Sequence, residues 1–405
     1  MISAPSKPQS EFIALMAMLM SMVALSIDAM LPALQQIGHS LGVDDPNQTQ
    51  LIVGSVFLGL AFGQMFYGPL SDAIGRKPAI FIGVGIFLVG AFISGTAQTF
   101  DMMLLGRILQ GAGAASCRVV TLAMIRDRFS GPNMARVMSL IMLMFILVPA
   151  IAPSVGQGIL FIAEWRAIFW VLFGFGLIGS VWLALRQPET LAIENRVPLS
   201  VNNIISGIKQ TLGHPTASRY TLAGGIMFGA FVGYLSSSQQ IIQIQYDTGP
   251  WFALLFGLLA LGVGLSSFAN SRLVMRFSLE KLCIAALSLI LFSSSSMMIT
   301  LLVLGHDPSL LTTMVFLISV FCAFGILFGN FNALAVHPLG HIAGMANSVI
   351  STVQTLISVL IGSAIGQSYD GSILPLTIGF FFCSLLTLFI VLNAQKYRQP
   401  AATTP

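Results

Sequence analysis

The chain has 405 residues, a formal net charge of +4, 56% hydrophobic side chains and only 8% Asp, Glu, Lys and Arg. Soluble domains carry about 25% charged residues, so this composition, with a mean hydropathy of +0.90, excludes a water-facing globule. The basic residues fall singly or in twos and threes between apolar runs, which excludes a nucleic-acid-binding stripe. Cys117, Cys283, Cys322 and Cys383 lie far apart inside apolar runs, so neither a disulfide framework nor a metal site is indicated, and no cofactor is expected.

In chain order, Gly, Pro and charged residues punctuate twelve apolar stretches. They predict helices near 12–37, 49–71, 79–98, 102–124, 137–160 and 166–186, then 219–243, 250–271, 281–304, 310–335, 342–367 and 373–394. Each is long enough to cross a hydrocarbon core of about 30 Å. The first run follows a single Lys7, exceeds a signal-peptide apolar region and lacks an A-x-A exit before Asp28, so it reads as a retained span. One long polar stretch, 187–218, separates residues 1–186 from 219–405. The fold class expected is therefore all-α integral membrane, with twelve transmembrane helices in two pseudo-symmetric six-helix bundles and a cytoplasmic linker between them. Lys and Arg are retained on the cytoplasmic side during insertion, and with the N-terminus inside, 15 of the 18 basic residues fall in inner segments. Both termini are thus expected to be cytoplasmic. A weak internal echo, Asp72 to Arg76 after the second helix and Arg272 to Arg276 after the eighth, supports parallel halves, an arrangement that places transporter sites near the midplane.

Among fourteen acidic residues, Asp28 alone lies deep within a predicted span. An ionised carboxylate there costs about 2.5–3.5 kcal/mol, and a carboxyl that takes up and releases a proton carries its charge only part of the time. Pro32, one turn on, frees a backbone carbonyl. Asp28 is accordingly the candidate proton carrier; the plainer reading is a helix-end residue or a static ion pair. Arg107 and Arg118 are eleven residues apart, about three turns, and share a face of the fourth helix. Arg107 is the natural counter-ion for Asp28, while Arg118 either meets substrate or extends its stem toward the inner interface. Gly68 to Lys77 are expected to form the second-to-third inner loop. Gly68 and Gly75 would allow a tight reversal there, and Asp72 would pair with Arg76 as a latch that differs between inward-facing and outward-facing states. Pro149, Pro153 and Gly156 interrupt the fifth helix and permit bending or close approach. Candidate substrate contacts are Gln64, Gln110, Tyr234, Gln239, Gln240, Asn330, Asn332 and Gln354, which serve equally well as interhelical hydrogen-bond partners. No intramembrane carboxylate pair, His cluster or nucleophile with a base appears, which argues against an enzyme or sensor.

These residues match a family. GPLSDAIGRKP resembles the major facilitator signature G-x-L-[SA]-D-x-x-G-R-[RK], and RILQGAGAA around Arg107 resembles that superfamily's fourth-helix motif. SIDAMLPAL, IRDRFSG, PAIAPSVGQ and EWRAIFW are similar to the bicyclomycin and chloramphenicol resistance (Bcr/CflA) branch of drug:proton antiporters, and IAGMANSVIS is the best local match in the second half. The resemblance implies a multidrug exporter of the bacterial inner membrane that exchanges small amphipathic compounds for protons by alternating access. It implies Asp28 as coupling carboxylate, Arg107 as its modulator, Asp72 and Arg76 as latch, and Pro149, Pro153 and Gly156 as antiporter motif. The partners expected are substrate, protons and membrane lipid, with the chain a monomer. Gln157 stands where that last motif usually has a second glycine, and Arg118 is a cation where relatives are usually apolar. An extra intramembrane arginine suits an anionic cargo such as a carboxylate siderophore, so a dedicated exporter of an anionic metabolite is the alternative.

Overall fold

A computed structural model describes the chain from Lys7 to Gln395, apart from some side chains near its two ends and between residues 132 and 146. Lys396 and Arg398, and the side chains of Lys7 and Arg136, counted in the charge pattern, lie outside the described residues. The helices are α1 (Lys7–Asp28), α2 (Leu34–Ser40), α3 (Leu51–Ile74), α4 (Arg76–Gly95), α5 (Phe100–Arg128), α6 (Gly131–Leu160) and α7 (Arg166–Arg186). They continue as α8 (Val201–Gly213), α9 (Pro215–Ser238), α10 (Phe252–Leu273), α11 (Leu279–Leu304), α12 (Leu310–Val336), α13 (Ala343–Gln367) and α14 (Leu374–Gln395). Hydroxyl caps start several of them: Thr99, Ser278 and Ser309 accept from the backbone amides of Met102, Lys281 and Thr312.

By length and apolar composition, nine stretches of the described residues can cross a membrane, and one of them, Leu310–Gln367, holds both α12 and α13. α6 adds the shorter apolar stretch Leu147–Leu160. Large apolar side chains stand exposed along these helices, among them Phe66, Ile178, Phe292 and Leu360, a surface that suits lipid.

Four local features differ from the expected elements. The first span is not continuous, because α1 ends at Asp28 and the chain passes through the short 3-10 turn Leu31–Ala33 into α2. The expected loop from Gly68 is instead the last two turns of α3, with Pro69 inside the helix; only Gly75, at φ +106°, turns the chain before α4 begins at Arg76. α9 runs on into a π-helical segment, Gln239–Gln245. The polar linker contains a helix of its own, α8.

The described residues pack as two compact units: one runs to Ser200 and takes in Leu235–Gly264, the other is Val201–Tyr234 with the chain from Leu265 onward. α9 and α10 therefore each pass from one unit to the other within their length. In the first unit α3, α4 and α5 pack backbone to backbone: Gly59 and Gly63 of α3 lie against Ile108 and Ala112 of α5, and Gly113 of α5 against Gly83 of α4. Helices in lipid gain little from hydrophobic burial against each other, so such close van der Waals approach holds them. In the second unit Gly225, Gly229 and Gly233 of α9 seat Ile357, Ile361 and Ile365 of α13.

Candidate functional site

The break in α1 places the first site. Pro32 has no N–H to offer the Asp28 carbonyl four residues earlier, and α1 stops there. Asp28 is 5% exposed, and among the described residues no hydrogen bond or ion pair reaches its carboxyl. The helix break is held from two sides. Gly156 of α6 lies so close to the Ala29 carbonyl that a Cβ at 156 would overlap it. From the other side comes Arg107 of α5, fully buried, whose Nη2 donates to the Ser26 carbonyl at 2.6 Å and Nη1 to Gln110 Oε1 at 2.6 Å, with the Phe169 ring 5.6 Å from the guanidinium carbon. The Asp28–Arg107 ion pair expected from the helix faces is thus not formed in this structure. Arg107 clamps the α1 backbone two residues before Asp28, because the Ser26 carbonyl rather than the carboxyl is presented to it. Its Nε and Gln110 Nε2 have no hydrogen-bond partner among the described residues.

Gly156→Ala is expected to lower stability by about 1–3 kcal/mol, since neither the α6 nor the α1 backbone can yield cheaply. Gly158→Ala, where nothing lies within 4 Å of the new carbon, serves as the silent control in a thermal-unfolding comparison. Equal melting temperatures for the two variants would contradict the close approach.

A second site lies where α3 and α5 end and α4 begins. The Arg76 side chain is 9% exposed and bridges Asp72, Ser71 and Asp127: Nη1 pairs with Asp72 Oδ1 and donates to Ser71 Oγ at 2.8 Å, and Nε donates to Asp127 Oδ2 at 2.9 Å. Glu189, from the segment after α7, accepts from the backbone amides of Arg76 and Lys77, both at 3.0 Å, and so caps the first turn of α4. Its Oε1 also receives the amides of Thr190 and Leu191, and Thr190 Oγ1 donates to Asp127 at 3.1 Å. Gly75 is required twice over, by its positive φ and because a Cβ would sit 2.6 Å from Glu189 Oε2. Gly68 contributes its carbonyl to Ser71 Oγ at 2.9 Å and makes no turn. Asp127 and Glu189 were not singled out from the sequence. The only signal was an acid beside a helix end, which surface acids share.

The remaining candidates scatter. Gln64 is buried on α3, and Arg118 is half-buried on α5. Gln110 belongs to the Arg107 clamp. Gln239 Nε2 donates to the Pro32 carbonyl at 3.4 Å, and Gln240 is held between Gln50 and Asn47, donating to Asn47 Oδ1 at 2.9 Å. Asn330 forms a reciprocal amide pair with Asn270 at 2.9 and 3.2 Å, and Asn332 donates to Asn347 at 3.2 Å. Gln354 packs on Gly224. Tyr234 is buried edge-on against Phe321 at 4.7 Å. Around it the second unit holds a cluster that sequence reading passed over: Phe228 and Phe231 of α9 with Phe324 and Phe328 of α12, the last two stacked at 5.3 Å. Phe228, Phe231 and Phe328 keep part of their rings open. Phenylalanines three and four apart on two apolar helices were the available signal. Pro149 and Pro153 lie in α6 as expected, and Gly257 of α10 approaches the neighbouring Ala150 carbonyl.

Compared with known proteins, residues 13–363 match the Major Facilitator Superfamily. The chain belongs to this superfamily. Among similar superfamily members, a bicyclomycin resistance protein homolog of Haemophilus influenzae is 28% identical over 379 residues, 93% of this chain and 94% of that one. The multidrug resistance protein MdtL of Klebsiella pneumoniae is 27% identical over 385 residues, covering 93% and 95%. Both relatives are drug-resistance proteins by name. The same fold is found in the xylose transporter XylE of E. coli, in a partially occluded inward-open conformation (TM-score 0.73, 12% identity, 98% and 99% covered), and in the human organic anion transporter MFSD10 (TM-score 0.69, 16% identity, 95% and 100% covered). The major facilitator chain is a transporter, not an enzyme.

Proposed function

We propose that the protein exports small amphipathic compounds in exchange for protons, by alternating access, from the bacterial cytoplasm across the inner membrane. The observation that carries this reading is Asp28: a buried carboxyl at a helix break, without a hydrogen-bond or ion-pair partner among the described residues, beside a backbone clamped by Arg107. A carboxyl so placed can hold a proton in one state and release it in another, and moving one charge down the membrane potential yields about 2.3 kcal/mol per 100 mV. Twelve spans with both termini cytoplasmic, and a monomer, complete the reading, supported by the distribution of basic residues. The half-buried rings of Phe228, Phe231 and Phe328 are where the second unit would receive an apolar part of a substrate.

The test is purified protein in liposomes holding an internal pH dye, challenged with a panel of cationic, neutral and carboxylate compounds. Proton movement triggered by a compound and missing from protein-free vesicles supports exchange; compound uptake indifferent to an imposed pH gradient removes the proton from the mechanism.

A second reading, a dedicated exporter of an anionic metabolite such as a carboxylate siderophore, is favoured by one observation, the half-buried cation Arg118 within α5. Under it, Arg118→Ala is expected to weaken transport of carboxylate compounds about 10- to 100-fold, the value of a charge-assisted hydrogen bond. Under the multidrug reading the same variant leaves the profile of cationic and neutral compounds unchanged.

A further inference from the structure

We propose that α8 is a membrane-surface helix, bedded in the headgroup layer by an apolar stripe and held there by acidic lipid headgroups at Lys209. The helix has three faces. Gly207 and Thr211 are buried, and Gly207 sits so close to the Met345 side chain of α13 that a Cβ would displace it. About 100° round the helix, Val201, Ile205 and Leu212 fall within about 40° of one another and are 67%, 44% and 39% exposed, with half-buried Ile208 beside them. Asn202, Ser206 and Gln210 make up the third, polar and exposed face, and His341 meets Gln210 there at 3.3 Å. Lys209 lies at the border between the apolar stripe and the polar face. A helix bedded at an interface needs a cation at that border, because its stem can follow the apolar stripe while its ammonium reaches phosphate.

Two observations choose lipid over a protein partner. α8 is joined to α9 through His214 alone, so it lies one residue from the helix that carries the seventh span expected from the sequence. The stretch 201–219 carries Lys209 and Arg219 and no acid at all, a charge balance complementary to acidic headgroups. The segment just before it, outside the candidate spans, also exposes Ile193, Val197 and Leu199.

The experiment uses the full chain in vesicles of phosphatidylethanolamine and phosphatidylglycerol with brominated acyl chains. Bimane is attached at Ile205→Cys, Leu212→Cys or Ser206→Cys, with the four native cysteines replaced by serine. Quenching at 205 and 212 but not at 206 is expected; equal quenching at all three positions, or none, overturns the proposal. Protection at 205 that grows with the protein-to-lipid ratio overturns it in favour of a second copy of the chain. A measurement on the protein with its native cysteines stands beside this one: Lys209→Gln is expected to bind phosphatidylglycerol about fivefold more weakly in native mass spectrometry, with phosphatidylethanolamine unaffected. Unchanged retention of phosphatidylglycerol removes the headgroup contact.

Discussion

Asp28→Asn is expected to leave a folded protein that no longer couples substrate to protons. The substitution keeps shape and polarity and removes only the ability to ionise. Among the described residues nothing pairs with the carboxyl, so no partner is orphaned by its loss. The contacts that shape the break, Arg107 on the Ser26 carbonyl and Gly156 on Ala29, do not involve it. The melting temperature should therefore stay at the wild-type value, while substrate-driven proton release in dye-loaded vesicles falls to the protein-free background. Exchange of substrate for substrate, which needs no proton, should survive. Asp28→Glu, which keeps an ionisable group on a longer stem, should recover part of the coupling. An Asn variant that moves protons as the wild type does would make Asp28 structural and leave the proposed proton exchange without its carrier.

Arg76→Ala carries the second large effect, and here the loss is of stability and transport together. The guanidinium joins the end of α3, through Asp72 and Ser71, to the end of α5, through Asp127. Removing one partner of a buried ion pair costs about 3–5 kcal/mol, mostly as the unpaired charge left behind. The Asp72 side chain is 51% exposed and regains water cheaply, whereas the Asp127 side chain is 18% exposed and, among the described residues, keeps Thr190 as its side-chain partner. A loss of about 2–3 kcal/mol is the balance of those two. Arg76→Lys keeps the charge but cannot reach three acceptors with one ammonium, and should fall between. Thermal unfolding in detergent and transport in vesicles read both quantities. An alanine variant that melts and transports like the wild type would leave the network ornamental.

What the sequence made legible follows from how far each signal reaches along the chain. Asp28 stood out because an acid inside an apolar run is conspicuous by itself, while Pro32 signalled a freed carbonyl but not that the helix, expected to run on to 37, stops at Asp28. The long helices were readable from apolar runs and their punctuation. Contacts between distant residues were not: whether Arg107 meets a carboxylate or a carbonyl depends on how α1 turns after Ser26, which helix spacing does not reveal. Asp127 and Glu189 are brought to Arg76 across 51 and 113 positions of chain, and each looks locally like a solvated acid. Pro69 misled in the opposite direction, since a proline in α3 is tolerated where membrane helices let neighbouring groups satisfy the freed carbonyl. α8 was hidden by averaging, because its three narrow faces sum to a polar stretch.

Two of the places where helix ends are tied together differ in one further respect. Arg76 holds its neighbours by charge, while Asn270, near the end of α10, and Asn330, in the last turns of α12, hold theirs by a reciprocal pair of neutral amides. Mobile ions reach the half-exposed Asp72 arm of the Arg76 network, screen the largely buried Asp127 arm far less, and leave an amide pair untouched. Concentrated salt therefore acts on this molecule as a lopsided reagent, slackening the α3 end held through Asp72 while sparing the α5 end held through Asp127 and the ends gathered by Asn330.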